Sequence, residues 1–174
     1  MINAELISRA QAGEEHAFAQ LVLSHERELG LFLCRRVNDH HVAEDLLQDT
    51  FLAAWKAIRK TSPDLRVRPW LYKIALNAAR QWERRQRILH FVPFHPHQTT
   101  TQEEALSEQD GVQRVLQKMQ RQDAELLLLK TAAGLTYSEI GALLKIKPAA
   151  VRQRLHRARE RFRDLYSGEK EAGQ

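Results

Sequence analysis

Apolar residues recur every three or four positions along most of this chain, and that spacing constrains the backbone more than any other feature. It lays a hydrophobic stripe along a helix, whereas on a strand it would scatter the same side chains over both faces. Phe18, Leu21, Val22, Leu29 and Phe32 follow it, as do Ala43, Leu47, Thr50, Phe51, Ala54 and Ile58, and later Leu71, Ile74, Ala75 and Ala78. Alternating runs of the β type are absent, and only 7 glycines and 5 prolines interrupt 174 residues. The expected fold is therefore all-α.

The rhythm fails once for any length. From about His90 to Asp110 the chain turns to Pro, His, Thr, Gln and Glu, the composition of a flexible linker with an acidic second half. The expectation is two small helical domains on either side of it: residues 1–89, a linker over 90–110, a second domain over 111–167, and a polar tail over 168–174. Caps and breakers predict helices over 3–12, 14–37, 39–58 and 69–88 in the first, with Asp39 as an N-cap and Pro69 in a first helical turn. In the second they predict helices over 111–119, 122–133, 136–144 and 148–166.

The net charge of +5 is unevenly placed. Six arginines fall between Arg152 and Arg163 on a helix whose Val151, Leu155, Ala158 and Phe162 form its apolar stripe. Clustered positive charge of this kind suits an anionic partner. The preceding residues, in "LTYSEIGALLKIKPAAVRQRL", have the layout of a helix-turn-helix, the unit that places its second helix in a DNA major groove. Thr136 and Glu139 are spaced as a capping box, Ile140 can meet Val151, Gly141 allows close approach, and Ile146 fills the turn. Ala149, Ala150, Arg152, Gln153, His156 and Arg157 then face outward where base edges are read, with Arg154, Arg159, Arg161 and Arg163 better placed for phosphates.

The helix over 39–58 carries the opposite sign. In "AEDLLQDTFLAAW", Glu44, Asp45, Gln48 and Asp49 share a polar face that would repel phosphate, so in a DNA-binding chain it is expected to meet a protein. Helix 69–88 is basic again and ends in "RQWERRQR".

The order "AEDLLQDTFLAAWKAI", a loop, "RPWLYKIALNAARQWERR", a linker, and "GLTYSEIGALLKIKPAAVRQRLHRARERF" strongly resembles the extracytoplasmic-function (ECF) sigma factors of bacterial RNA polymerase, over nearly the whole chain except linker and tail. The resemblance implies a dissociable polymerase subunit that brings core enzyme to promoters and assists their opening. It places Glu44, Asp45, Gln48 and Asp49 on the helix that docks on the clamp helices of the largest polymerase subunit. It makes the fourth helix and the loop before it a reader of the minus-ten element as single strand, with Arg66, Arg68, Lys73, Asn77, Arg80 and Arg84 as candidates. A basic groove and pockets for unstacked bases are what such a reader needs. Trp70 and Tyr72 are expected in the core rather than on a base.

The same resemblance makes the helix-turn-helix the reader of the double-stranded minus-thirty-five element through Ala149, Ala150, Arg152, Gln153, Arg154, His156 and Arg157. It implies an anti-sigma partner and a monomer when free. Two departures stand out: Lys145 occupies the turn position where the family usually has glycine, and Lys147 replaces the usual Ser or Thr cap. The loop "KTSPDLRVRP" also lacks the Phe-Arg-Gly type of sequence common there.

Other readings fit less of the chain. A free-standing helix-turn-helix regulator is the alternative, but it needs neither an acidic docking helix nor a second basic helix. RNA-recognition signatures are absent. Enzymatic activity is not expected: Cys34 has no identifiable base and no glycine loop cradles phosphate. No cofactor is implied. The histidines of "HFVPFHPH" lack the ligand spacing of a closed zinc site. A single cysteine, an acidic N-terminus and the absence of long apolar runs lead to the expectation of a soluble cytoplasmic protein without membrane insertion.

Overall fold

The computed structural model describes residues 2–91 and 108–172, all of whose regular elements are helical. The first module contains α1 (Ile2–Gln11), α2 (Glu15–Val37), α3 (His40–Ile58) and α4 (Val67–Phe91). Helices α2 and α3 form an antiparallel hairpin on which α1 and α4 pack. Phe32 meets Tyr72 edge-on at 5.1 Å between ring centroids, and Phe18 lies 5.0 Å from Trp55. Leu21, Leu29, Leu33, Ile58, Leu71 and Leu76 complete this core. Each fully buried side chain of this size contributes about 1.5–3 kcal/mol relative to its exposed state.

The hairpin turns on two adjacent residues with different tasks. Asn38 ends α2 in the left-handed region (φ 56°), its N–H donating to Cys34 O. Asp39 then starts α3, its carboxylate accepting from Val42 N–H at 3.0 Å. Thr50 is buried among apolar neighbours without leaving its hydroxyl unpaired, because Oγ1 donates to Leu46 O at 2.6 Å. The amide of Gln11 donates to the oxygens of Thr61 and Ser62, tying α1 to the loop after α3.

The second module contains α5 (Glu108–Lys118), α6 (Arg121–Thr131), α7 (Tyr137–Leu144) and α8 (Pro148–Ala172). Leu126, Leu127, Leu128 and Leu129 are all buried, because α6 lies in the middle of the module and meets neighbours on several sides. Apart from the buried Glu125, its polar residues are confined to the two ends, Arg121 to Asp123 and Lys130 to Thr131.

Several helix ends differ from expectation: α4 begins at Val67 and runs on to Phe91 where 69–88 was expected, and α6 ends at Thr131 rather than 133. Helix α8 continues to Ala172 instead of ending at Tyr166, and Glu169 shows why: its carboxylate pairs with Arg114 at 2.8 Å and with Lys118, both on α5. Helix α5 starts at Glu108, inside the stretch assigned to the linker. The middle of that stretch, 92–107, and with it His95 and His97 of the histidine-rich segment, lies outside the described residues.

The modules also touch. Helix α6 packs on α2, and α7 on α4. The Gln113 amide donates to Arg35 O at 3.1 Å across the same boundary.

Candidate nucleic-acid interface

The helix-turn-helix is built as its sequence dictates. Thr136 Oγ1 accepts from Glu139 N–H at 3.2 Å, while a Glu139 carboxylate oxygen accepts from the Thr136 N–H at 2.9 Å and hydroxyl at 2.8 Å. These bonds, the backbone one foremost, hold the Glu139 carboxyl below its ordinary range despite partial burial. Ile140 and Val151 are fully buried between the two helices. At Gly141 a β-carbon would stand 2.7 Å from Ile146 O, so the turn folds against bare backbone there.

Lys145 adopts the conformation that glycine usually supplies, with φ 58° and ψ 42°. Its N–H and that of Ile146 both reach Gly141 O, so the lysine changes the chemistry of the turn and keeps its shape. Pro148 opens α8 at the first helical position, where a missing N–H costs nothing. Beyond it Ala149, Arg152, Gln153, Arg154, His156 and Arg157 are exposed, and Ala150 is half-buried. Arg152 lies over the Tyr137 ring at 5.5 Å, which holds its guanidinium at the mouth of the turn. His156 stands 3.3 Å from Glu160, and Arg161 lies 3.6 Å from Asp123.

The acidic group on α3 is also intact as a surface. Glu44, Asp45, Gln48 and Asp49 are exposed, opposite the buried Ala43, Leu46 and Thr50. Glu44 has His40 and His41 within 3.5 and 4.0 Å. One turn on, Leu52 is 57 % exposed, an apolar side chain on the face of Gln48 and Asp49. Its sequence signal is a leucine four places after Gln48 and three after Asp49.

Helix α4 shows Lys73, Asn77, Arg80 and Arg84 along one exposed stripe. Trp70 is half-buried and Tyr72 wholly buried, both in the core as expected. Three arginines of this group are already engaged. Arg68 bonds Glu28 at 2.7 Å, Arg66 lies 3.2 Å from Glu139, and Arg80 grips both carboxylate oxygens of Glu125. The last two partners belong to the second module.

Glu125 is the centre of a charge cluster that spacing arguments did not find. Its side chain is 5 % exposed and that of Arg36, 3.4 Å away, is 6 % exposed. Arg36 also bonds both oxygens of Glu83, which pairs in turn with Arg121. Burial pushes the Arg36 guanidinium below its ordinary range, and Glu125 pulls it back. Buried charges persist only when paired in this way. The available signal was the lone acid in "AELLLLK", since a carboxylate in a buried leucine run demands a partner.

The chain matches family models for Sigma-70 region 2 over residues 21–88 and Sigma-70, region 4 over residues 109–162. It is 35% identical to the RNA polymerase sigma factor CarQ of Myxococcus xanthus, over 91% of this chain and 94% of that relative. Among solved structures it is similar to CnrH in complex with the cytosolic domain of CnrY, with a TM-score of 0.78 and 28% identity over 97% of this chain and 99% of that one. It is also similar to the sigma factor RpoE in complex with the anti-sigma factor NepR from Bartonella quintana, with a TM-score of 0.71 and 26% identity over 86% of this chain and 96% of that one.

Proposed function

This chain belongs to the ECF sigma factors, transcription initiation factors that direct RNA polymerase to promoters, and from that premise we propose how its surfaces divide the work. The observation that carries the reading is the division of charge among three exposed surfaces: acidic on α3, basic on α4 and basic again on α8.

The first module, residues 1–89, binds core polymerase and reads the minus-ten element. Glu44, Asp45, Gln48 and Asp49, extended by Leu52, dock on the clamp helices of the largest subunit. Acidic residues around an exposed leucine suit a basic protein surface with an apolar centre. Arg66, Arg68, Lys73, Asn77, Arg80 and Arg84 take the separated strand, with Asn77 able to bond a base edge and the cations holding phosphates. The second module, residues 111–167, reads the minus-thirty-five duplex. Arg152, Gln153, His156 and Arg157 contact bases there, Arg154 the backbone, while Ala149 and Ala150 let α8 enter the groove closely.

The linker makes the second contact intramolecular once the first has formed, so the spacing between promoter elements contributes to specificity. The chain acts as an initiation factor and the polymerase supplies the catalysis. An anti-sigma protein is the regulator we assign to it, by analogy with the two complexes to which its fold is similar. Among the described residues no helix is long and apolar enough to cross a membrane, and the nucleoid-side cytoplasm is where this reading places it.

The test is transcription by bacterial core polymerase on fragmented host DNA, with and without the chain, mapping RNA 5′ ends. New starts sharing two spaced upstream elements are expected. No new starts, with a control sigma active in parallel, would refute the assignment.

A further inference from the structure

Tyr137 opens α7, and its ring is shared by two cations from other helices. Lys130 Nζ of α6 lies 5.0 Å from the ring centroid, and the Arg152 guanidinium of α8 lies 5.5 Å from it. The backbone under the ring is fixed twice over. Thr136, the residue before it, is locked into the capping box with Glu139. Lys130 also donates to Leu135 O at 3.0 Å, which ties the end of α6 to the approach to α7. A half-buried tyrosine on such a backbone, with only two side-chain torsions, is a platform that moves little.

The manner of holding decides what Arg152 can do. Other cations along α8 meet carboxylates, His156 beside Glu160 and Arg161 beside Asp123. Arg152 is exposed and, among the described residues, its partner is the Tyr137 ring rather than an acid. A carboxylate would occupy the in-plane N–H groups that a guanidinium needs for O6 and N7 of guanine. An aromatic ring attracts the cation through its π-face and takes none of those donors. Arg152 is thus oriented while its hydrogen-bonding fork stays open. Lys130 adds direction: it is tied back to a carbonyl, and like charge on the same ring favours Arg152 on the solvent side.

We infer that Tyr137, which lies outside the recognition helix, is a positioning residue for base reading. Its ring presets the Arg152 guanidinium for the major groove, so that less side-chain freedom is lost when the base edge is met. Preference at the base pair that Arg152 reads then depends on the ring and not on its hydroxyl. The inference rests on the assignment of Arg152 to a base edge.

The experiment uses the chain assembled with core polymerase and a promoter fragment found by the 5′-end mapping, its upstream element randomised. Sequencing the bound duplexes gives the preference at each position. The variants are Arg152→Ala, Tyr137→Phe, Tyr137→Leu with Tyr137→Gln as a second ring-less form, and the double Tyr137→Leu/Arg152→Ala, each established as folded by circular dichroism. Arg152→Ala should lose about fivefold or more of the preference at one base pair. Tyr137→Phe should keep that preference, and the ring-less variants should lose about threefold of it while leaving other positions unchanged. Adding Tyr137→Leu to Arg152→Ala should change nothing further at that base pair. Ring-less variants that match wild type, or that lose affinity equally for all sequences, overturn the positioning role. So does a Tyr137→Phe loss as large as that of Tyr137→Leu, or a further loss in the double variant. If Arg152→Ala shifts preference at no position, the base-reading assignment itself falls, and the inference with it.

Discussion

Replacing Gly141 by alanine sets two effects against each other whose sizes the structure fixes. Gly141 lies inside α7, where Gly to Ala ordinarily gains about 1 kcal/mol of helix propensity. Here the new β-carbon would sit 2.7 Å from Ile146 O and 3.5 Å from Pro148 N. Ordinary carbon–oxygen contact needs roughly 0.6 Å more than the shorter distance, and the carbonyl cannot swing aside. It belongs to a turn pinned by Ile146 N–H on Gly141 O at 2.9 Å and followed at once by α8. Overpacking of this kind costs about 1–3 kcal/mol and here displaces backbone. The expected net result is a loss of about 1–2 kcal/mol, with the recognition helix moved off its seat and duplex affinity reduced about tenfold. Gly168 is the control, because a β-carbon there meets nothing within 4 Å; its alanine variant should gain up to about 1 kcal/mol from propensity alone. Guanidinium unfolding followed by circular dichroism measures both, and duplex binding is measured by anisotropy. All three tryptophans lie in the first module, so their fluorescence follows that module by itself. If Gly141→Ala stabilised the chain as Gly168→Ala does, the close approach that seats α8 would not exist.

Three further outcomes are expected. Reversing Asp45 and Asp49 to lysine should weaken core-polymerase binding at least tenfold at moderate salt, measured by titration of labelled chain into core enzyme; unchanged affinity would remove α3 from that interface. Arg152→Ala should alter preference among duplex sequences by about 1–3 kcal/mol at one position, whereas Arg161→Ala should weaken all sequences alike, and a uniform loss from both would erase the distinction. Burial pushes the Tyr72 hydroxyl up to about 12, with the nearby Arg68 guanidinium opposing that rise. Because the folded state holds this proton more tightly, its contribution is complete below about pH 10 and is lost as pH rises through about 12. Tyr72→Phe should therefore flatten that alkaline loss. A variant melt with the same alkaline slope as wild type would contradict this.

The helices and their caps were legible because they depend on neighbours in sequence. Asp39, the Thr136–Glu139 box, the close approach at Gly141 and the burial of Ile140 and Val151 each follow from residues close along the chain, and each is found where the spacing put it. The acidic face of α3 and the exposed arginines of α8 were legible for the same reason. Helix ends were less so. Helix α8 outruns its apolar stripe because Arg114 and Lys118 of another helix hold Glu169, and no local pattern encodes that pairing. The charge cluster was the least legible, since Arg36, Arg80 and Glu125 are brought together from opposite sides of the linker. Only the oddity of an acid among leucines marked it in advance.

Among the described residues, two that are not glycine have positive φ: Asn38 between α2 and α3, and Lys145 between α7 and α8. The two modules thus hinge their working helices on the same backbone geometry, reached with different residues. Asparagine visits the left-handed region readily, while lysine does so against a penalty of about 1 kcal/mol. Glycine at 145 would lift that penalty and return part of it as greater freedom of the unfolded chain, and asparagine would return less. Under selection for heat resistance alone, position 145 has a slope to climb and position 38 has none. Glycine there would also remove the exposed positive charge that Lys145 sets beside the start of α8.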